Sequence, residues 1–287
     1  MNLVVQTLAN AIVASAFYAL IAIGLSLIFG VMNVVNYAHG EFYMLGAYAV
    51  WILYGENGWP YFLAVGAAAV IVGLVGIVSE RLIFRRVRGN VLSGFLVSIG
   101  LVFVLQVLVA RIWGVGSVKP VPAALKGALD VWYISVGWQR LLVVPVAAAM
   151  IALLFLFLNR LRIGRALRAC AQDAEAASVR GMNPSLIGLI AFAVGSAMAG
   201  VAGALMAPIF SVTPYMGAHV IWTAFVVVIL GGAGQLRGTV LAAVLLGLLN
   251  TAATTIWDST VALIISSAFL LVFLSFRPQG LVGRVAK

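Results

Sequence analysis

The chain has 287 residues, of which 64 % are apolar and 8 % charged, with a formal net charge of +10. A soluble domain carries about 25 % charged residues, so this chain cannot cover a water-facing surface, and its mean hydropathy of +1.19 makes lipid its main solvent. The basic residues cluster in short segments between apolar runs, which is a pattern of membrane topology and excludes a phosphate-tracking, nucleic-acid-binding face.

In hydrocarbon every backbone N–H and C=O must be paired inside the protein, which leaves helices or closed barrels. Barrel strands read as alternating segments of about ten residues. The long continuous runs here predict an all-α, polytopic transmembrane bundle instead. The first run covers roughly 7–30 and the second roughly 42–55, with a polar interruption between them and a turn at 55–60. A third, roughly 61–80, ends in Arg81, Arg85, Arg86 and Arg88, and a fourth spans about 91–112. Residues 113–140 read as a loop whose Trp113, Trp132, Tyr133 and Trp138 suit a membrane interface. A fifth run covers about 141–158, the basic segment 159–185 follows, and a sixth run covers about 186–207. The stretch 219–255 is interrupted at Gly231–Gly238, and the last run is roughly 261–276.

The segments around 81–88, 160–180 and the tail with Arg277, Arg284 and Lys287 should face the cytoplasm. All three do so only if 219–255 is a hairpin turning near Arg237; the count is therefore eight or nine spans, with one or two broken helices. The N-terminal stretch lacks a basic region, so a cleaved signal peptide is not expected. Small residues, with Gly234 and Gly238 as G-x-x-x-G and Ala199 with Gly203 as a second pair, suit close helix packing within the chain or against a partner.

Two segments concentrate the polar chemistry. In Asn33-Val34-Val35-Asn36-Tyr37-Ala38-His39-Gly40-Glu41, two amides, an imidazole and a carboxylate sit between apolar runs. Such groups are costly at membrane depth unless they face a cavity or one another, so they read either as a broken helix lining a translocation path or as a cytoplasmic turn with asparagine caps. The second segment, Arg165–Pro184, is rich in Ala and Arg and reads as one short cytoplasmic helix ending at Gly181, with Asp173 and Glu175 flanked by arginines. Cys170, the single cysteine, reads as a free thiol without a role.

At these residues the chain resembles the LivH-type inner-membrane permease subunits of the branched-chain amino acid ABC importers. The resemblance rests on Gly24–Tyr48 with its N-V-V-N-Y-A-H-G-E-F core, and on Arg168–Gly203 with Glu175-Ala176-Ala177-x-x-x-Gly181 as a form of the ABC-permease EAA loop. Gly231–Gly238 and Arg277–Gly283 complete it. The Leu-Pro common late in EAA loops is absent. The resemblance implies a single permease domain, 1–287, in a bacterial inner membrane. It implies a LivM-type second permease, two cytoplasmic ATP-binding subunits and a periplasmic amino-acid-binding protein as partners. It places the ATPase contact at Arg168, Asp173, Glu175, Ala176 and Gly181; on the broken-helix reading, the translocation path runs beside Asn33, Asn36, His39 and Glu41.

The chain has no G-x-x-x-x-G-K-S/T phosphate loop, and its lysines are Lys119, Lys126 and Lys287. ATP chemistry is therefore expected from a partner, with no cofactor and no metal held here; His39 and His219, the latter near a helix start, lack neighbouring ligands. Two alternatives stay open: a related permease for urea or short amides, and an ion-coupled secondary transporter. The latter would want acids inside the spans, whereas Glu41, Glu80 and Asp258 read as span edges.

Overall fold

The computed structural model describes residues 2–116, 118–131 and 134–282. Eleven α-helices are seen there: α1 (Asn2–Met32), α2 (His39–Val50), α3 (Tyr61–Leu82), α4 (Val91–Trp113), α5 (Trp138–Arg160), α6 (Arg162–Gln172), α7 (Ala174–Val179), α8 (Pro184–Met206), α9 (Met216–Gly231), α10 (Leu236–Ile256) and α11 (Ser259–Phe276). Seven of them are long and apolar enough to cross a bilayer. Two more apolar segments pack among these: α9, with 16 residues, and α2, which continues as a wider π-helical turn to Glu56. At 1.5 Å per residue α9 is about 24 Å long, short of a hydrocarbon core of about 30 Å. The chain is a polytopic helical membrane protein, with seven helices long enough to span and two shorter apolar segments among them.

The ambiguous stretch 219–255 is the hairpin that the basic tail requires. Its turn places Gly232 and Gly234 at φ 96° and 79°, a backbone open to glycine at no steric cost. Gly234 stands in the turn rather than on a helix face and packs against Gly30 at the end of α1, while Gly238 lies against the Gly231 carbonyl, so both glycines serve close backbone packing within the chain. Arg277-Pro278-Gln279-Gly280 folds back beneath this hairpin, where the Leu281 N–H donates to the Leu230 carbonyl at 2.8 Å. The arginines of 81–88, the segment 160–180 and Arg277 are thus all gathered at one face, called below the arginine-rich face. Arg284 and Lys287 lie outside the described residues.

Polar side chains start the helices at the positions where free N–H groups need acceptors. Asn90 accepts from Ser93 N, Asn183 from Ser185 N and Leu186 N, and Asp258 from Thr260 N and Val261 N. Between α4 and α5 the expected loop contains a two-stranded hairpin, β1 (Ala128–Val131) with β2 (Ile134–Gly137). Trp113 ends α4 and Trp138 begins α5, as interfacial residues should; Trp132 and Tyr133 lie outside the described residues.

The core lies where α1, α2, α3 and α8 meet, and glycine makes the approach possible. α1 and α8 touch backbone to backbone, because a Cβ on Gly24 would sit 2.7 Å from the Gly195 carbonyl oxygen. α2 and α8 cross likewise: a Cβ on Gly46 would fall 2.6 Å from Gly200 Cα, and Gly203 lies against the Tyr43 carbonyl. Small residues let helices gain dispersion contacts that lipid cannot supply, so the Ala199/Gly203 pair works within the chain.

Candidate translocation and coupling sites

α1 ends at Met32, and Asn33 follows with φ 52° and an exposed side chain. Its N–H donates to the Phe29 carbonyl at 2.8 Å, the left-handed closure of a helix C-terminus that asparagine tolerates. The chain then turns back along α4. Val34 lies against Gly94, Tyr37 N donates to Ser98 Oγ at 2.9 Å, and Gln106 Nε2 donates to Glu41 Oε1 at 2.8 Å. The Tyr48 ring reaches Trp113, with ring centres 5.1 Å apart. From Ser98 to Gln106 is about 12 Å along α4. α2 therefore begins part-way through the bundle, not at its edge.

The opposite wall gives the same depth. His39 Nε2 lies 3.2 Å from the carbonyl oxygen of Ile21, which precedes the end of α1 by about three turns. The stretch 33–38 is thus irregular backbone inside the protein, which a membrane tolerates only when protein or water covers it. Here protein covers it: Asn36 and His39 are fully buried and Glu41 is 1 % exposed. Glu41 is accordingly not at a water-facing span edge, because the segment before it folds inward. Asn36 makes no capping bond. Both its amide atoms, His39 Nδ1 and Glu41 Oε2 are buried without a partner, and each such group needs a physical reason. The structure brings Asn36, His39 and Glu41 to the start of α2 and leaves Asn33 apart, at the arginine-rich face.

The segment 159–185 holds two helices rather than one, because Asp173 breaks it. Its backbone is extended, at φ −158° and ψ 106°, and its carboxylate accepts from Ala176 N at 2.9 Å to start α7. An acid that bonds its local backbone competes with helix continuation. α6 presents Gly164, Leu167 and Cys170 inward and Arg162, Arg165 and Arg168 outward. Cys170 is buried in this helix rather than in a solvated loop; burial pushes its thiol above the ordinary range and Arg88 opposes the shift. Arg168 donates to Asn159 Oδ1 at 2.8 Å. Among the described residues neither Asp173 nor Glu175 forms an ion pair. Asp173, Glu175, Ala176 and Gly181 are exposed, and Gly181 at φ 79° ends the segment. Val179, which the sequence reading passed over, is 88 % exposed while Ala177 two residues earlier is buried.

A second feature missed from sequence ties this segment to the spans. Glu80, fully buried near the end of α3, pairs with Arg88 Nη2 at 2.6 Å. Arg88 Nη1 also donates to the Pro184 carbonyl at 2.9 Å, at the start of α8. Arg85 donates to Ser185 Oγ beside it. One guanidinium thus joins α3, the turn before α4 and the start of α8.

The structure is a broken, glycine-packed membrane bundle with two short helices on its arginine-rich face, and comparison with known proteins places it among transport permeases. Residues 7–274 match the model of the branched-chain amino acid transport system / permease component family, and the chain belongs to that family. It is 30 % identical to the high-affinity branched-chain amino acid transport system permease protein BraD of Pseudomonas aeruginosa, over 97 % of this chain and 95 % of that one. It is 31 % identical to the permease protein LivH of Escherichia coli over the same shares, and 26 % identical to LivM of E. coli over 92 % of this chain and 67 % of LivM. Among solved structures, PsaBC from Streptococcus pneumoniae in complex with Fab shares the fold, with a TM-score of 0.56 at 14 % identity over 96 % and 93 % of the two chains.

Proposed function

We propose that this chain forms half of the translocation pathway of an ATP-driven importer for leucine, isoleucine and valine in a bacterial inner membrane. A LivM-type permease supplies the other half; the 26 % identity to LivM supports a pseudo-symmetric pair. Two cytoplasmic ATP-binding subunits hydrolyse ATP, a periplasmic binding protein delivers the amino acid, and this chain holds no cofactor.

The observation that carries the coupling role is the stance of α6 and α7. Leu167, Cys170 and Ala177 anchor the pair to the bundle, while Glu175, Ala176 and Val179 project into solvent. An apolar side chain left this exposed on a rigid element favours a protein partner. Arg168, Asp173 and Gly181 set its geometry: one ties α6 to Asn159, one starts α7 and one ends it. Arg88 carries displacement of this segment to α3 and α8.

The path is assigned to the broken segment. Asn36, His39 and Glu41 hold unpartnered polar atoms at the start of α2, where a helix shift gives them water or substrate to bond, and Asn33 marks the cytoplasmic mouth. The test is uptake of labelled leucine by cells expressing the whole importer. Asn36→Ala and Glu41→Ala should cut uptake, and Glu175→Lys should reduce recovery of the ATP-binding subunits with the permease at unchanged membrane abundance. Uptake of urea in place of leucine would overturn the substrate, and full recovery of the ATPases with Glu175→Lys would overturn the coupling role.

A further inference from the structure

A cavity of about 560 Å³ opens at the face opposite the arginine-rich loops. The first half of α1, the start of α9 and the last turns of α10 wall it; Arg140 of α5 lines it too, and so does Tyr43 of α2. These ends lie together because each helix runs to or from the arginine-rich face. The volume is that of a small-molecule site, about 300–1,000 Å³. Tyr43 stands one turn beyond His39, with its ring centre 5.8 Å from that of Phe17. The cavity therefore adjoins the broken helix already assigned to the path.

The lining is divided in chemistry. Phe17, Met216 and Val220 present apolar surface. On α10, the Thr254 and Thr255 hydroxyls donate to the carbonyls of Asn250 and Thr251 at 2.7 and 2.8 Å. A hydroxyl whose proton is used in its own helix keeps only lone pairs to offer, and these suit an ammonium group. Arg140 is exposed, and its guanidinium has no hydrogen-bond or ion-pair partner among the described residues. No Asp or Glu lines the cavity. A guanidinium that has no partner among the described residues and lines a space without carboxylates suits a carboxylate ligand, whose two oxygens match its fork.

We infer that this cavity is a binding site for the amino acid itself, with Arg140 taking the α-carboxylate, Thr254 and Thr255 the α-ammonium, and Phe17, Met216 and Val220 the apolar side chain. The inference rests on the importer reading above. It places on this chain part of a recognition that a delivering receptor would otherwise hold alone.

Initial uptake of labelled L-leucine by cells expressing the whole importer tests it. Arg140→Gln should lower the rate at least about tenfold, the equivalent of one charge-assisted hydrogen bond, and Arg140→Lys should stay within about threefold of wild type. An independent variant, Ser211→Cys, puts a thiol on the cavity wall, while the native Cys170 is buried at the opposite face. A membrane-impermeant thiol reagent applied from outside should then block uptake, and saturating leucine with the receptor should slow the labelling. Arg140→Gln uptake within about twofold of wild type overturns the inference, as does labelling of Ser211→Cys that leaves uptake unchanged. Absence of leucine uptake by the wild type overturns the importer reading together with it.

Discussion

Removing the Arg88 guanidinium should strongly destabilise the arginine-rich half of the bundle. Glu80 is fully buried and pairs with Arg88 at 2.6 Å. Breaking a buried pair by deleting one member costs about 3–5 kcal/mol, because the other charge is left buried and unpaired. Arg88→Ala also deprives the Pro184 carbonyl of its donor, which adds about 1 kcal/mol. The reverse deletion is milder. In Glu80→Gln an amide oxygen still accepts from Arg88, whose side chain is 23 % exposed and keeps its bonds to the start of α8, so the loss should be about 1–2 kcal/mol. At roughly 2 °C per kcal/mol for a chain of this size, Arg88→Ala should lower the melting temperature by about 8–12 °C and Glu80→Gln by about 2–4 °C. Cys170 makes the assay native to the protein: it is buried near Arg88, so a thiol-reactive fluorophore added to the detergent-purified permease reports when this half opens. An Arg88→Ala protein that melts within about 1 °C of wild type would refute the stabilising role given to Arg88.

The glycine contacts predict opposite outcomes at nearby positions. Gly46→Leu forces a side chain into the Gly200 backbone and should cost several kcal/mol through overpacking, read as loss of monodisperse protein. Gly66→Ala meets nothing within 4 Å and should stabilise α3 by about 0.5–1 kcal/mol through helix propensity, read as an equal or higher melting temperature. Cys170 should contribute alkaline sensitivity. Its folded thiol is held above its ordinary value, so the neutral form is favoured on folding. That stabilisation is complete below the unfolded pKa and is lost as pH rises through the folded one. Between pH 7 and 10 the wild type should therefore lose more melting temperature than Cys170→Ala, and parallel curves would count against this.

Composition and run length sufficed for the helices, because hydrocarbon leaves a backbone so few solutions. The arginine bias decided how 219–255 must fold, and the structure shows that hairpin; a run of apolar residues alone says nothing of where it turns. The depth of α2 was not legible. Asn33 and Asn36 are the same residue type three positions apart, yet one closes a helix in solvent and the other is buried without a partner. That difference is set by α4 and α1, whose Ser98, Gln106 and Ile21 lie far off in sequence. The Asp173 break was readable in principle, since an acid three residues before a free helix N–H is a cap signal. It was masked by the strong helical propensity of the alanines around it. Arg88 was hidden for a different reason: four arginines in eight residues read as topology, and only packing shows that one of them points inward at Glu80.

The unpartnered atoms of Asn36, His39 and Glu41 have one further consequence. A membrane protein gains little from burying polar groups without bonds, each costing roughly 1–3 kcal/mol. A conformation in which α2 moves and these atoms find water recovers part of that cost, so the closed packing seen here is less favoured than its glycine contacts alone would make it. Those contacts oppose the shift, since Gly46 and Gly203 hold α2 against α8 by backbone alone. The balance resembles that of an element with two packings separated by a small free energy. Asn36→Leu should therefore act differently from Asn36→Ala. Filling the site with apolar surface removes the unsatisfied amide without leaving a void, and should raise the melting temperature while lowering leucine uptake. A variant that melts higher and transports normally would show that the buried amide has no part in the transition.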